Sequence, residues 1–149
     1  MKAIIEMPKG DTRRRHLASD KHGIIDLGLL RDSVPVHGGV MPVHYGYLPG
    51  TRNHDEGDEI DVLIYSPDAM AIGQEADVRP IALFRRGDKD DKVVAVRASD
   101  QIISSWEDIP KTERDLLEQF FGYHHKIVAI ENAEAARRYV EENQEQAHS

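Results

Sequence analysis

Short runs of apolar residues, separated by turn-forming Gly, Pro and Asp, fill the first two-thirds of the chain. This pattern is typical of β-strands, and it predicts them at residues 3–7, 23–27, 60–65, 76–84 and 93–96. Between residues 28 and 57, frequent Gly and Pro indicate loops with short strands. Several short strands with many turns predict a small closed barrel, and the lack of strand–helix alternation argues against a parallel sheet.

The last third of the chain changes to helical periodicity. Leu116, Leu117, Phe120 and Phe121 recur at the spacing of one helix face, which predicts a helix that begins near Pro110.

A second helix is predicted after Asn132, a residue type that often caps helix N-termini. Ala133, Ala136 and Val140 would form its apolar face, and the polar tail from residue 144 to residue 149 is expected to fray.

Composition narrows the classes of function. A chain of 149 residues predicts one domain spanning residues 1–149. The 19 Lys and Arg residues against 27 Asp and Glu residues give a net charge of −8, which disfavours nucleic-acid binding. Cysteine is absent, so disulfides and thiolate metal sites are excluded. No apolar run approaches the roughly 18 residues of a membrane span, and no signal peptide is evident, so a cytoplasmic location is expected.

Carboxylates crowd into residues 55–61, immediately before the strand predicted at residues 60–65. Such crowding calls for a counter-charge, and Mg²⁺ or Mn²⁺ is suited because hard cations prefer oxygen ligands. The alternative is an ordinary solvated turn, since Asp and Gly are common in turns. An EF-hand is excluded, because the sixth residue counted from Asp55 is Ile60 rather than Gly.

A second acidic loop lies between two predicted strands, at residues 87–92. By itself it is typical of a hairpin tip, but two acidic loops at one end of a barrel could share metal ions. Basic residues that could hold an anion occur at positions 13–15, at Arg31 and at Lys92. Carboxylate-bound metals combined with Arg and Lys are what phosphoryl chemistry requires.

An ordered series of segments resembles the soluble family I inorganic pyrophosphatases. Ile4-Ile5-Glu6-Met7-Pro8 is similar to the Ile-Glu-Ile-Pro opening strand of that family, and residues 42–51 are similar to its Pro-x-Asn-Tyr-Gly-Phe-Ile-Pro-x-Thr segment. Residues 57–63 resemble part of the signature Asp-Gly-Asp-Pro-x-Asp-Val-Leu. Residues 79–83, 90–96 and 131–136 resemble Arg-Pro-Ile-Gly-Val, Asp-x-Lys-Ile-Ile-Ala-Val and the helical end, respectively.

The resemblance implies an α+β, mainly β fold, in which C-terminal helices pack on an OB-like closed five-stranded barrel. It implies Mg²⁺-dependent hydrolysis of inorganic pyrophosphate to two phosphates by a metal-activated water, with Mn²⁺ or Zn²⁺ as substitute cofactors. It also implies a homo-oligomer, since bacterial relatives are commonly hexamers. Two alternatives remain open: a catalytically weakened relative that binds metal and phosphate, or a phosphohydrolase of a larger diphosphate.

The resemblance also implies roles for single residues. Asp58 would activate the water, and Glu6 would support the site from the second layer. Four acids would hold metals: Glu56, Asp61, Asp90 and Asp88. Asp55 is the alternative to Glu56 for the position in the first loop.

The residues implied to hold phosphate oxygens are Arg15, Arg31, Tyr45, Lys92, His124 and His125. The sequence departs from the family pattern at Leu17, where the family has an acid, and at His124-His125, where it has Tyr-Lys. Tyr123 or Lys126 would replace these histidines if the alignment shifts by one residue.

Overall fold

The computed structural model describes residues 1–17, 23–53 and 57–145. Within these ranges the strands are β1 (Lys2–Met7), β2 (Arg13–Leu17), β3 (Ile24–Leu29), β4 (His44–Leu48), β5 (Ile60–Ile64), β6 (Glu75–Arg86), β7 (Lys92–Arg97) and β8 (Ile127–Asn132). The helices are α1 (Lys111–Phe121) and α2 (Ala133–Glu142), with short 3₁₀ turns at Leu30–Asp32, Val36–Gly39 and Trp106–Asp108. No helix in these ranges has both the length and the apolar character needed to cross a bilayer.

Five strands close into a ring. The pairings run β1–β4–β5–β7–β6, and β6 pairs back to β1, which confirms the predicted OB-like closed barrel. Strand β6 is 12 residues long, and its final part also pairs with β8. Strands β2 and β3 form a separate antiparallel pair. The ring is not a parallel sheet, as expected, since its other pairings are antiparallel. Strands β5 and β7 are its one parallel pair, because β6 rather than a helix makes the crossover between them.

Both faces of the central strands are buried. Val62 and Val93 belong to the core that α2 closes with Ala136, Tyr139 and Val140. The neighbouring residues of the same strands belong to a second core beneath α1, whose members include Leu63, Val94, Leu117, Phe120 and Phe121. Strands that are buried on both faces lose the apolar–polar alternation, which explains why β5 and β7 are continuous apolar runs in the sequence.

The strands predicted near residues 3–7, 23–27, 60–65, 76–84 and 93–96 are confirmed, as are both helices. The Asn132 cap is confirmed, because its side-chain oxygen accepts a hydrogen bond from the Ala135 N–H at 3.0 Å. Strands β2 and β8 were not predicted from the sequence. Strand β2 is charged, and β8 leaves Val128 62% exposed at the edge of β6, so neither shows the usual strand pattern.

The polar tail was expected to fray from residue 144. Its first residues are held instead, because Gln144 forms a β-bridge with Thr51 and the Glu145 N–H donates to the Gly50 carbonyl at 2.8 Å. The rest of the predicted tail, residues 146–149, lies outside the described residues.

Candidate active site

The site begins where the outer faces of β5 and β7 change from apolar to charged. Asp61 and Lys92 are opposite each other in the parallel pair, and Leu63 and Val94 follow two residues further along each strand. Those two apolar residues lie in the core beneath α1. Because side chains two residues apart point to the same face of a strand, the core anchors the strand segments that present Asp61 and Lys92.

Lys92 is the centre of a buried polar cluster. Its ammonium donates to Asp61 Oδ2 at 2.8 Å, to Tyr45 Oη at 3.1 Å and to Asp90 Oδ2 at 3.3 Å. Only 4% of the residue is exposed. Burial by itself lowers the pKa of Lys92, but the negative charges of Asp61 and Asp90 outweigh it and raise the pKa above the ordinary value. Lys92 therefore carries a permanent positive charge.

An acidic cavity of about 200 Å³ opens beside this cluster. Its carboxylates are Glu6, Asp58, Glu59, Asp61 and Asp90, and its nitrogen-bearing side chains are Arg14, Arg15 and His16. Carboxylate oxygens are the donors that Mg²⁺ prefers, so the chemistry of the donors fits a hard divalent cation. Across the part of the chain that the structure describes, no three His, Asp or Glu side chains form a ready-made metal site.

A second cavity, of about 440 Å³, shares Met7, Arg14, Tyr45 and Asp90 with the acidic one. The two cavities therefore adjoin each other. The larger one is polar where Arg14, Arg86, Lys92, Tyr45, Asp32, Ser33 and His124 line it. Its apolar wall consists of Met7, Leu30, Val34, Met41, Phe120 and Phe121. The two adjoining cavities thus differ in charge: one is rich in carboxylates, and the other is rich in cations.

Tyr45 is held between the two cavities by helix α1. Its ring stacks on Phe121, with centroids 6.0 Å apart. Burial raises the pKa of Tyr45, and the charge of Asp61 raises it further, so the phenol stays neutral at physiological pH. A neutral hydroxyl can donate a hydrogen bond to an anionic ligand.

Glu6 supports the acidic cavity from the end of β1. Its side chain is buried, accepts the Leu17 N–H at 2.9 Å and faces His16 Nδ1 at 3.1 Å. Burial raises the pKa of Glu6 to about 7, although the Leu17 N–H and His16 act in the opposite direction. Burial also raises the pKa of Asp90, and Asp61 adds to that effect while Lys92 opposes it.

The structure brings together most of the residues that the sequence predicts. Those that line one or both cavities are Glu6, Asp58, Asp61, Asp90, Arg15, Tyr45, Lys92 and His124. Arg31 is exposed on a 3₁₀ turn and lines neither cavity. Asp88 and His125 also line neither; they face each other, with 3.7 Å between His125 Nε2 and Asp88 Oδ2. Glu56 and its alternative Asp55 lie outside the described residues.

Five acidic or basic residues of the cavities were given no individual role from the sequence: Arg14, His16, Asp32, Glu59 and Arg86. Arg14 belongs to the basic run at positions 13–15, which was predicted to hold an anion, but the individual role was assigned to Arg15. Arg15 pairs with Asp11, whereas Arg14 has no hydrogen-bond or ion-pair partner among the described residues. Glu59 lies within the first acidic loop. Arg86 borders the second loop, and nothing in the sequence distinguishes it from Arg85.

Comparison with known proteins agrees with this geometry. The model of the inorganic pyrophosphatase family matches residues 3–148. The chain belongs to the inorganic pyrophosphatase family. It is 32% identical over 139 residues to an inorganic pyrophosphatase of Leifsonia xyli, covering 86% of this chain and 82% of that protein. It is 30% identical over 138 residues to one of Haloferax volcanii, covering 89% of this chain and 75% of that protein.

Solved structures of the family share the fold. The inorganic pyrophosphatase of Ehrlichia chaffeensis superposes with a TM-score of 0.85 over 96% of this chain and 92% of that one, at 22% identity. That of Neisseria gonorrhoeae gives a TM-score of 0.84 over 96% and 88% of the two chains, also at 22% identity. The barrel with its packed helices is therefore the fold of the family.

Proposed function

We propose that the protein hydrolyses inorganic pyrophosphate to two phosphates and that it uses Mg²⁺. The observation that carries this proposal is the pair of adjoining cavities, one lined by carboxylates and the other by Arg14, Lys92 and Tyr45. A highly charged anion such as pyrophosphate requires positive charge and hydrogen-bond donors on its oxygens. Membership of the inorganic pyrophosphatase family supports the same substrate.

The residues that would hold Mg²⁺ are Asp61 and Asp90, together with the predicted ligand Glu56. When bound, the ion would supply Lewis acidity to the phosphoryl oxygens and activate water. The predicted ligand Asp88 lines neither cavity, so its role would require the second loop to rearrange. Mn²⁺ and Zn²⁺ are the proposed substitutes.

The chain's own groups position the substrate and accept a proton. Arg14, Lys92 and Tyr45 would donate hydrogen bonds to phosphate oxygens, and His124 lines the far end of the larger cavity. Asp58 would accept the proton of the attacking water, whose oxygen forms the new bond to phosphorus as the bridging P–O bond breaks. The backbone fixes the loop that carries Asp58, because the Asp58 carbonyl accepts a hydrogen bond from the Asn53 N–H at 2.6 Å.

The test is phosphate release from pyrophosphate, measured with and without Mg²⁺. We expect Asp61→Asn to lower kcat at least 100-fold while the circular dichroism spectrum is unchanged, since the amide cannot replace the carboxylate charge. Asp115→Asn is the matched control, because Asp115 lies on helix α1, pairs with Lys111 at 2.8 Å and lines neither cavity. Retention of most of the rate in Asp61→Asn would overturn the site assignment, and no release by the wild type would overturn the function.

The larger cavity favours a second candidate, hydrolysis of an organic diphosphate. Its volume of about 440 Å³ falls in the range of about 300–1,000 Å³ that encloses drug-sized ligands. The wall formed with Phe120 and Phe121 could contact an apolar or aromatic group. The same assay with a nucleoside diphosphate distinguishes the candidates, because kcat/KM should exceed that for pyrophosphate only if this second function is correct.

We further propose that the protein is a cytoplasmic homo-oligomer, with the hexamer as the expected size. Three side chains of β3 support an interface between copies, since Ile24, Ile25 and Leu27 are 53%, 48% and 54% exposed.

A further inference from the structure

The acids of the second loop already pair with cations of the protein itself. Arg86 Nη2 lies 3.4 Å from Asp88 Oδ2, and Arg86 Nη1 lies 3.5 Å from Asp90 Oδ2. Asp90 also faces Lys92, and Asp91 faces Arg85 at 3.1 Å. Each carboxylate of this loop therefore has at least one positively charged partner without any bound metal.

The first loop is different. Asp58 and Glu59 line the acidic cavity but form no ion pair with any residue that the structure describes. Asp61 pairs only with Lys92 in the described ranges. The demand for an external cation is consequently greatest at the first loop, because every acid of the second loop already has a cationic partner.

Arg86 is built into the site rather than lying on the surface. Its side chain is only 10% exposed, and its Nε is buried without a hydrogen-bond partner. The backbone N–H of Arg86 donates to Asp91 Oδ1 at 2.8 Å, and this hydrogen bond fixes the end of β6 to the loop. A buried guanidinium nitrogen without a partner is costly, so the position of Arg86 depends on the ion pairs that its Nη atoms make with Asp88 and Asp90.

We propose that Arg86 is an internal counter-cation that takes the place of a divalent metal ion between Asp88 and Asp90. It holds these two acids in their folded positions, and it opposes the binding of a divalent cation between them. A cation entering between the two acids would meet a fixed positive charge within 3.5 Å of each carboxylate oxygen. The protein therefore binds fewer metal ions than its carboxylates would otherwise hold, and metal binding centres on the first loop, with Asp90 contributing from its other side. This inference rests on the metal requirement of the proposed function.

The test is the number of Mn²⁺ ions bound per chain, counted by electron paramagnetic resonance of the free ion during a titration. Arg86→Met removes the charge and keeps much of the apolar volume. We expect it to bind one more Mn²⁺ ion per chain than the wild type, or to bind the weakest ion at least tenfold more tightly. Arg86→Lys keeps the charge and should match the wild type.

Arg85→Met is the matched control. It removes an identical charge at the neighbouring position, but Arg85 pairs with Asp91 and Glu131 and lines neither cavity. We expect it to leave the Mn²⁺ count unchanged. If Arg86→Met does not fold, Arg86→Gln provides the same comparison, since it also removes the charge.

The inference would be overturned if Arg86→Met loses an ion, or if its ion count is unchanged and no ion binds tenfold more tightly than in the wild type. This outcome is separate from the failure of the proposed function. A wild type that binds no Mn²⁺ would contradict the metal requirement, whereas the difference between Arg86→Met and the wild type still decides the role of Arg86.

Discussion

Two buried ionisable residues, Lys92 and Glu6, differ in how well their charges are compensated. Lys92 has three oxygen partners within 3.3 Å and keeps its charge in spite of burial. Glu6 has one N–H donor and the partly exposed His16, and the charges of Asp61 and Glu59 oppose its ionisation. Since burial favours the neutral form of an acid, Glu6 should make the stability of the metal-free protein depend on pH.

We predict that Glu6→Gln stabilises the metal-free protein at alkaline pH. The folded-state pKa of Glu6 is about 7, against 4.5 for the ordinary group. The stability associated with its proton is therefore fully present below pH 4.5 and is lost as the pH rises through 7. The variant should exceed the wild type in free energy of unfolding by about 3 kcal/mol at pH 8 and by less than about 1 kcal/mol at pH 5.

The measurement is urea unfolding in EDTA at both pH values. Glu75→Gln is the control, because Glu75 is exposed and pairs with Lys2 on the surface. An equal difference between Glu6→Gln and the wild type at pH 5 and at pH 8 would contradict the prediction.

At the scale of elements, the pairing of β1 with β4 depends on a close backbone approach. Gly46 pairs with Ile5, and a Cβ atom at position 46 would overlap the carbonyl oxygen of Ile4. The approach matters for the site, because β1 carries Glu6 and β4 carries Tyr45. A side chain at position 46 would separate the strands that hold two of the site's residues.

We predict that Gly46→Ala destabilises the protein by about 1–3 kcal/mol, or more, because the overlapping atom is backbone and cannot rotate away. Gly87→Ala is the control: the nearest atom to its added Cβ would be the Lys126 carbonyl oxygen at 3.8 Å, an ordinary contact. It should change the free energy of unfolding by no more than about 0.5 kcal/mol. Urea unfolding measures both, and similar losses in the two variants would contradict the role given to Gly46.

At the scale of the whole molecule, closure of the barrel brings distant acids to one cavity. Glu6 comes from β1, Asp58 and Asp61 from the first acidic loop and β5, and Asp90 from the second loop. Their mutual repulsion is a cost of the folded state that a bound cation would relieve. A cation that binds only the folded protein stabilises it by mass action.

We predict that Mg²⁺ raises the midpoint of thermal unfolding. At a concentration about 100 times the Kd, the stabilisation is about 2.7 kcal/mol, which corresponds to a rise of about 5–10 °C for a chain of this size. The rise should be smaller in Asp61→Asn than in the wild type, and in Asp115→Asn it should equal that of the wild type. Differential scanning calorimetry at constant ionic strength measures it, and a midpoint that does not move with Mg²⁺ would indicate that the first loop is a solvated turn.

The sequence alone determined the local elements and the kind of chemistry. Apolar runs and helical periodicity predicted five strands and both helices, because these signals depend on residues close together in the chain. Acidic loops beside strands indicated a cation site, and the ordered motifs indicated the family. Strands β2 and β8 escaped prediction because their stability comes from partners elsewhere in the fold, namely β3 and the end of β6.

Tertiary structure decided which side chains share the cavity. The register between β2 and β3 shifts between Arg13 and Arg15. Because of this irregularity, the regular alternation of side chains along a strand does not predict which way each arginine points. The fold therefore brings Arg14 to both cavities, while Arg15 pairs with Asp11. Likewise, only the folded loop distinguishes Arg86 from Arg85. The reason is physical: composition specifies the available charges, but their partners are set by long-range packing that brings separate strands together.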